Sequence, residues 1–154
     1  MERCPSRRDT PDMLNSTSHV LDTVRVGDCM HPGVLSCSPD TPLSTVAEMM
    51  TSHHVHALAV SGAAGPPAII VSDVDVMGAL ASADDGLVVR QIAVTEALTA
   101  PRDASIREAA SVMADHGVSH LIVLDTASGH PVGVLSTTDV LAAYAVAARA
   151  ENPS

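Results

Sequence analysis

Two short runs in this chain have residue types and spacing suited to chemistry: Ser72-Asp73-Val74-Asp75 and Ser136-Thr137-Thr138-Asp139. Each puts a hydroxyl three residues before a carboxylate, where an apolar stretch ends and a helical pattern begins. A helix start offers unpaired backbone N–H groups and the positive end of the helix dipole, a setting that suits a phosphate. The Ser hydroxyl can bond a phosphate or a sugar, and a carboxylate can accept from two vicinal sugar hydroxyls. The same Ser and Asp also serve as a plain helix cap, and at this level both roles stay open.

The histidines His53, His54 and His56 form a cluster. A metal site needs three or four ligands that converge, whereas neighbours at a helix end point apart. The cluster therefore reads as a solvated helix end, and no metal is expected. Asp73 and Asp75 are explained by a helix N-terminus without invoking an acid–base pair. No P-loop, HExxH or nucleophile–base pattern appears, so no catalytic residue is assigned.

Composition narrows the partners. The 154 residues carry a net charge of −10 from 8 basic and 18 acidic side chains, and every basic one is Arg. Without clustered cations or stacking aromatics, a nucleic-acid surface is not expected. With 46% hydrophobic residues but only one Tyr and no Phe or Trp, the core must be aliphatic. Cys4, Cys29 and Cys37 form no CxxC pair, which suits reduced thiols in the cytoplasm. No apolar run approaches membrane length, and the arginines near the N-terminus lack the apolar stretch of a secretory signal. Residues 1–18 are polar and without periodicity, and they read as a flexible tail.

The elements that must position these residues come as a repeat. Residues 40–50 align with 103–113. Leu43, Val46, Ala47 and Met50 match Ile106, Ala109, Ala110 and Met113 at i, i+3, i+4, i+7, so both segments are predicted to be amphipathic helices. Asp40 or Thr41, and Asp103, are the expected N-caps. Leu58-Ala59-Val60 then matches Leu121-Ile122-Val123 as a short buried strand. Residues 67–72 match 131–136 as a second strand, leading into Ser-x-x-Asp and a second helix. Each half thus reads strand–helix–strand–strand–helix. Neither buries much core alone, so two halves packed sheet to sheet about a pseudo-twofold axis are expected, with a related cleft for each repeat.

Taken together, Val26-Gly27-Asp28-Cys29-Met30-His31-Pro32, Ser38-Pro39-Asp40-Thr41-Pro42-Leu43 and Gly133-Val134-Leu135-Ser136-Thr137-Thr138-Asp139 resemble the cystathionine-β-synthase (CBS) motif in order, spacing and duplication. Residues 24–81 resemble the first motif and 87–148 the second, within a pair spanning 19–150. The resemblance implies an α/β (α+β) fold of two βαββα motifs and a regulatory protein rather than an enzyme, while the high Ala, Arg and Val usage without Lys suggests a GC-rich bacterial gene. It also implies an adenosine-containing ligand (AMP, ADP, ATP or S-adenosylmethionine), with no required cofactor, and a homodimer acting on an unidentified regulated protein. The small-residue faces at Ala47, Ala109 and Ala110 are the expected dimer surface.

By the same resemblance, Ser72 and Asp75, and Ser136, Thr138 and Asp139, would contact ribose and phosphate. Ser36 and Thr99 would lie near adenine or ribose. Val55, Leu58, Val118 and Leu121 are candidates to sandwich the base, with a core role as the alternative. His56 and His120, one per repeat, would supply a partial cation for phosphate in place of Arg. Gly133 would let a ligand approach the backbone, whereas Ile69, its counterpart, would narrow or fill the other cleft or form part of an apolar slot for the base. A ligand-free scaffold for dimerisation or protein interaction is the competing reading.

Overall fold

The structure is a computed structural model that describes residues 19–62, 67, 69–82, 86–92 and 95–151. The expected tail, 1–18, lies outside the described residues, as do positions 63–66 of the first inter-strand loop.

The described residues open with a helical turn, α1, over residues 19–23. Then come α2 (Val26–Cys29), β1 (His31–Pro32), β2 (Ser36–Cys37), α3 (Leu43–His53), β3 (Ala57–Val60), β4 (Ile69–Ser72) and α4 (Asp73–Ala81). After a 3₁₀ turn at Val89–Gln91, the second series runs β5 (Thr95–Glu96), β6 (Thr99–Pro101), α5 (Ile106–His116), β7 (His120–Leu124), β8 (Pro131–Ser136) and α6 (Thr137–Glu151). Among the described residues the strands form two four-stranded sheets, ordered β2-β3-β4-β5 and β1-β8-β7-β6. In each, one parallel pair (β2/β3, β6/β7) adjoins an antiparallel hairpin (β3/β4, β7/β8).

The periodicities explain the layers. On α3, Leu43, Val46 and Met50 are buried; on α5, Ile106, Ala109 and Met113 are. Each stripe packs on one face of its own sheet, against Leu58, Val60 and Val71 in the first half and Leu121, Val123 and Leu135 in the second. Strand side chains alternate between faces. The intervening Ala57, Ala59, Ile70 and Ile122 therefore point the other way and form the seam between the sheets.

The expected N-caps move. α3 is preceded by Pro42, which gives no side-chain cap, while Asp40 pairs with Arg90 and Thr41 Oγ1 accepts from the Ser38 N–H. α5 is capped by Ser105, whose hydroxyl accepts from the Glu108 N–H while Glu108 accepts from the Ser105 N–H. Asp103 instead accepts from the Thr126 hydroxyl. A reciprocal capping box satisfies two helix-end donors at once, which Asp103, two positions earlier, would not do.

The opening segment of each repeat is built into the other repeat. Fully buried Val26 belongs to the core around Ile106 and Leu121, and Val89 belongs to the core around Val46 and Leu58. β1 pairs with β8, and β5 pairs with β4. The backbone repeats the exchange: Val26 N–H donates to Ala104 O and Ile106 N–H to Val24 O, while Val89 N–H donates to Thr41 O and Leu43 N–H to Leu87 O. The pseudo-twofold relation therefore rests on exchanged edges as well as on stacked sheets.

Candidate functional site

β4 ends at Ser72 and β8 at Ser136, each at the start of a helix. In the first repeat, the Ser72 N–H and hydroxyl both donate to Asp75 Oδ2 (2.8 and 2.9 Å), and the Asp75 N–H donates back to Ser72 Oγ at 3.3 Å. In the second, the Ser136 N–H and hydroxyl donate to Asp139 Oδ2 at the same distances, and the Asp139 N–H donates to Ser136 Oγ at 3.2 Å. Both Ser-x-x-Asp runs are thus closed capping boxes in this state. In each box only Oδ1 of the carboxylate stands outside the Ser–Asp loop. Asp139 Oδ1 lies 3.1 Å from His31 Nε2.

Two clefts flank the seam, and each combines one repeat's Ser with the other repeat's helix-end loop. The larger, about 510 Å³, is lined by His31–Leu35, by His53–Ala57, and by His120, Val134 and Ser136. The smaller, about 210 Å³, is lined by Ile70, Ser72, Val74 and Asp75 with Gly117–His120. Pockets that enclose small ligands run to roughly 300–1,000 Å³, so the Ser136 cleft is of ligand size and the Ser72 cleft falls below it.

The expected residues divide between these places. Val55, His56, His120 and Ser136 line the larger cleft, with Asp139 behind Ser136; Ser72, Asp75, Val118 and His120 line the smaller one. Thr138 is exposed in the first turn of α6, and Ser36 and Thr99 are exposed on β2 and β6, lining neither cleft. Leu58 and Leu121 do not fit a base-sandwiching role. They are 1% and 0% exposed, and strand alternation turns them toward the helices, away from the seam.

Gly133 is also explained differently. A Cβ there would lie 2.5 Å from the His31 carbonyl oxygen and 2.6 Å from Met30 Sδ. Its missing side chain admits β1 to the sheet rather than a ligand. Ile69 pairs with Glu96 of β5 and lines neither cleft, so it neither narrows nor fills one. Of the expected dimer face, Ala109 is buried in its own core, whereas Ala47 and Ala110 are half-buried. Among the described residues, the exposed large apolar side chains are Ile69 at the start of β4, Val74, Met77 and Leu80 on α4, and Leu141, Tyr144 and Val146 on α6.

The histidines gather where the sequence did not put them. His56 and His120 were expected one per repeat, yet both line the larger cleft, together with His31, His53 and His54. His54 leaves the helix in the left-handed region (φ 54°), which aims adjacent His53 and His54 into one cleft rather than apart. His56 Nδ1 lies 2.9 Å from Asp73 Oδ2. Burial pushes the His120 imidazole below its ordinary range. Asp73 and Asp139 act the other way, and His56 adds to the depression. Among the described residues, no three His, Cys, Asp or Glu side chains are arranged to hold a metal ion. His31 was missed because nothing near it in sequence points to Asp139. The only sequence signal was its place in the Val26–Pro32 run that opens the first repeat.

The profile of the CBS domain matches residues 26–82 and 89–146. The chain belongs to the CBS domain family and carries the domain in tandem. This CBS pair superposes on the CBS domain pair of protein MJ0100, solved with 5′-methylthioadenosine and S-adenosyl-L-methionine, with a TM-score of 0.70. That match has 19% identity and covers 80% of this chain and 98% of the other. The CBS domain protein PAE2072 of Pyrobaculum aerophilum, solved with AMP, gives 0.67 at 22% identity, over 80% and 99% of the two chains. A homoserine O-acetyltransferase of Methanosphaerula palustris is 31% identical over 129 residues, 84% of this chain. The CBS pair spans only 26% of that relative's length. Among the described residues, no helix of the CBS pair is long and apolar enough to cross a membrane.

Proposed function

We propose that this CBS pair is a regulatory module that binds an adenosine-containing ligand in the larger cleft. The observation that carries the reading is the Ser136–Asp139 box at the start of α6, beside a cleft of about 510 Å³. In this reading the α6 N-terminus and Ser136 face the ligand's sugar and any phosphate, and Asp139 Oδ1 accepts from ribose hydroxyls after His31 moves off it. Val55 and Val134, from the two repeats, present apolar surface for the base. The adenosine ligands of the MJ0100 and PAE2072 pairs support the class of ligand. Because the cleft takes residues from both repeats, a ligand favours one relative setting of the halves. That is the differential affinity a sensor requires. The module acts without catalysis, in the cytoplasm, as a homodimer through α4 and α6 or on a separate protein.

One observation favours the competing scaffold reading: both oxygens of Asp139 have partners inside the protein, Ser136 and His31. Calorimetry with AMP, ADP, ATP and S-adenosylmethionine separates the two. Binding lost in Asp139→Ala and kept in Asp75→Ala supports the sensor. Silence from all four at millimolar concentration supports the scaffold.

A further inference from the structure

Five of the chain's eight histidines line one cleft. They arrive from three places: His31 on β1, His53, His54 and His56 around the end of α3, and His120 on β7. The carboxylates that face them are Asp139 on α6, against His31, and Asp73 on α4, against His56. Both also act on His120. The Cys29 thiol stands near Asp139 and Asp28, and burial first, then those carboxylates, keeps it protonated. Among the described residues, no Arg lines the cleft.

Two carboxylates against five imidazoles set an unusual charge balance. The cleft is net negative while the imidazoles are neutral and becomes net positive once more than two of them carry protons. Histidine is the side chain whose ordinary titration falls in the physiological range. An anion entering a partly enclosed site stabilises the imidazolium form of every histidine beside it and raises its proton affinity. Binding and proton uptake are then linked, and each strengthens the other.

We propose that the larger cleft is a proton-coupled anion site: it takes the anionic, phosphorylated form of its ligand together with protons on the His31, His53, His54, His56 and His120 cluster, so that affinity rises as pH falls. This rests on the adenosine reading for the ligand's other half but not for its charge. The module then reports ligand and acidity jointly. A permanently cationic Arg in the same place would respond to ligand alone.

The test compares adenosine 5′-phosphosulfate, whose charge is constant from about pH 8 to about pH 6, with neutral adenosine by calorimetry at both pH values. Inorganic sulfate is followed in parallel through the histidine ring NMR signals. Linkage of one proton gives up to about tenfold per pH unit. The expected result is an affinity for the phosphosulfate about tenfold higher at the lower pH, with that for adenosine unchanged. The H53Q/H54N/H56Q variant, all at exposed positions, with Asn suited to the left-handed conformation at 54, should cut the change to about twofold or less. Equal affinity for the phosphosulfate at both pH values, or a full response in the triple variant, overturns the proposal and leaves the adenosine reading standing. If the adenosine probes do not bind but sulfate raises the histidine titration, the adenosine reading falls and the anion site stands. No response to any probe overturns both.

Discussion

His31 Nε2 lies 3.1 Å from Asp139 Oδ1, joining the opening strand of the first repeat to the capping carboxylate of the second. The carboxylate is 13% exposed and the imidazole 71%, so the imidazole, not the acid, is the half open to solvent. A sugar that uses Asp139 Oδ1 must displace His31. Because a contact to an imidazole this exposed is worth at most about 1 kcal/mol, His31→Ala should tighten the binding of neutral adenosine by up to about fivefold. Calorimetry reads this directly, and weaker binding would mean that His31 contacts the ligand instead of competing with it.

The close approach of β1 to β8 depends on Gly133. Gly133→Ala should cost about 1–3 kcal/mol, as overpacking does, because the new Cβ meets the His31 carbonyl and Met30. Gly78 sits in α4 with open space around its Cβ position, so Gly78→Ala should stabilise by up to about 1 kcal/mol through helix propensity. Urea unfolding of the two variants should therefore shift in opposite directions.

The exchanged edges predict crossed effects. Val26→Ala removes methyls from the core around Leu121, and Val89→Ala does so from the core around Leu58. Each should cost about 1–3 kcal/mol. Native-state hydrogen exchange should show Val26→Ala loosening β7 and β8, and Val89→Ala loosening β3 and β4. Loosening confined to the variant's own repeat would contradict the exchange.

Burial keeps His120 below its ordinary range of about 6.5. A histidine whose folded pKa is depressed binds fewer protons folded than unfolded, so ligand-free stability rises with pH up to the unfolded value and falls on acidification below it. The Tm of the ligand-free protein should drop below about pH 6.5, and His120→Gln should flatten the slope. A bound anion should oppose the drop, since it favours the charged form.

The exposed apolar residues of α4 and α6 predict a homodimer on that face. Met77→Glu combined with Leu141→Glu should convert it to monomer by light scattering, with little loss of monomer stability because both positions are more than 60% exposed.

Much was legible in the sequence, for a local reason in each case. The i, i+3, i+7 stripe of Leu43, Val46 and Met50, its copy at Ile106, Ala109 and Met113, and the repeated Ser-x-x-Asp are patterns within single elements. Helix and strand periods are fixed by backbone geometry alone, so the repeat, the βαββα order and the helix starts at Ser-x-x-Asp could be read off directly. Leu58 and Leu121 show the limit of such reading. Their burial was expected, but which sheet face they occupy depends on where each strand begins.

What tertiary structure decided is everything carried across the pseudo-twofold axis. No local pattern sends β1 to the second sheet, assigns Gly133 to the His31 backbone, or brings His31 to Asp139 and His56 to the cleft of His120. The sequence determined two related half-sites and set them apart by Gly133 against Ile69, neither of which lines a cleft. Packing made them unequal, because each cleft is closed by side chains from the opposite repeat, and there the two repeats differ: histidines around 53–56 face Ser136, whereas Gly117, Val118 and Ser119 face Ser72.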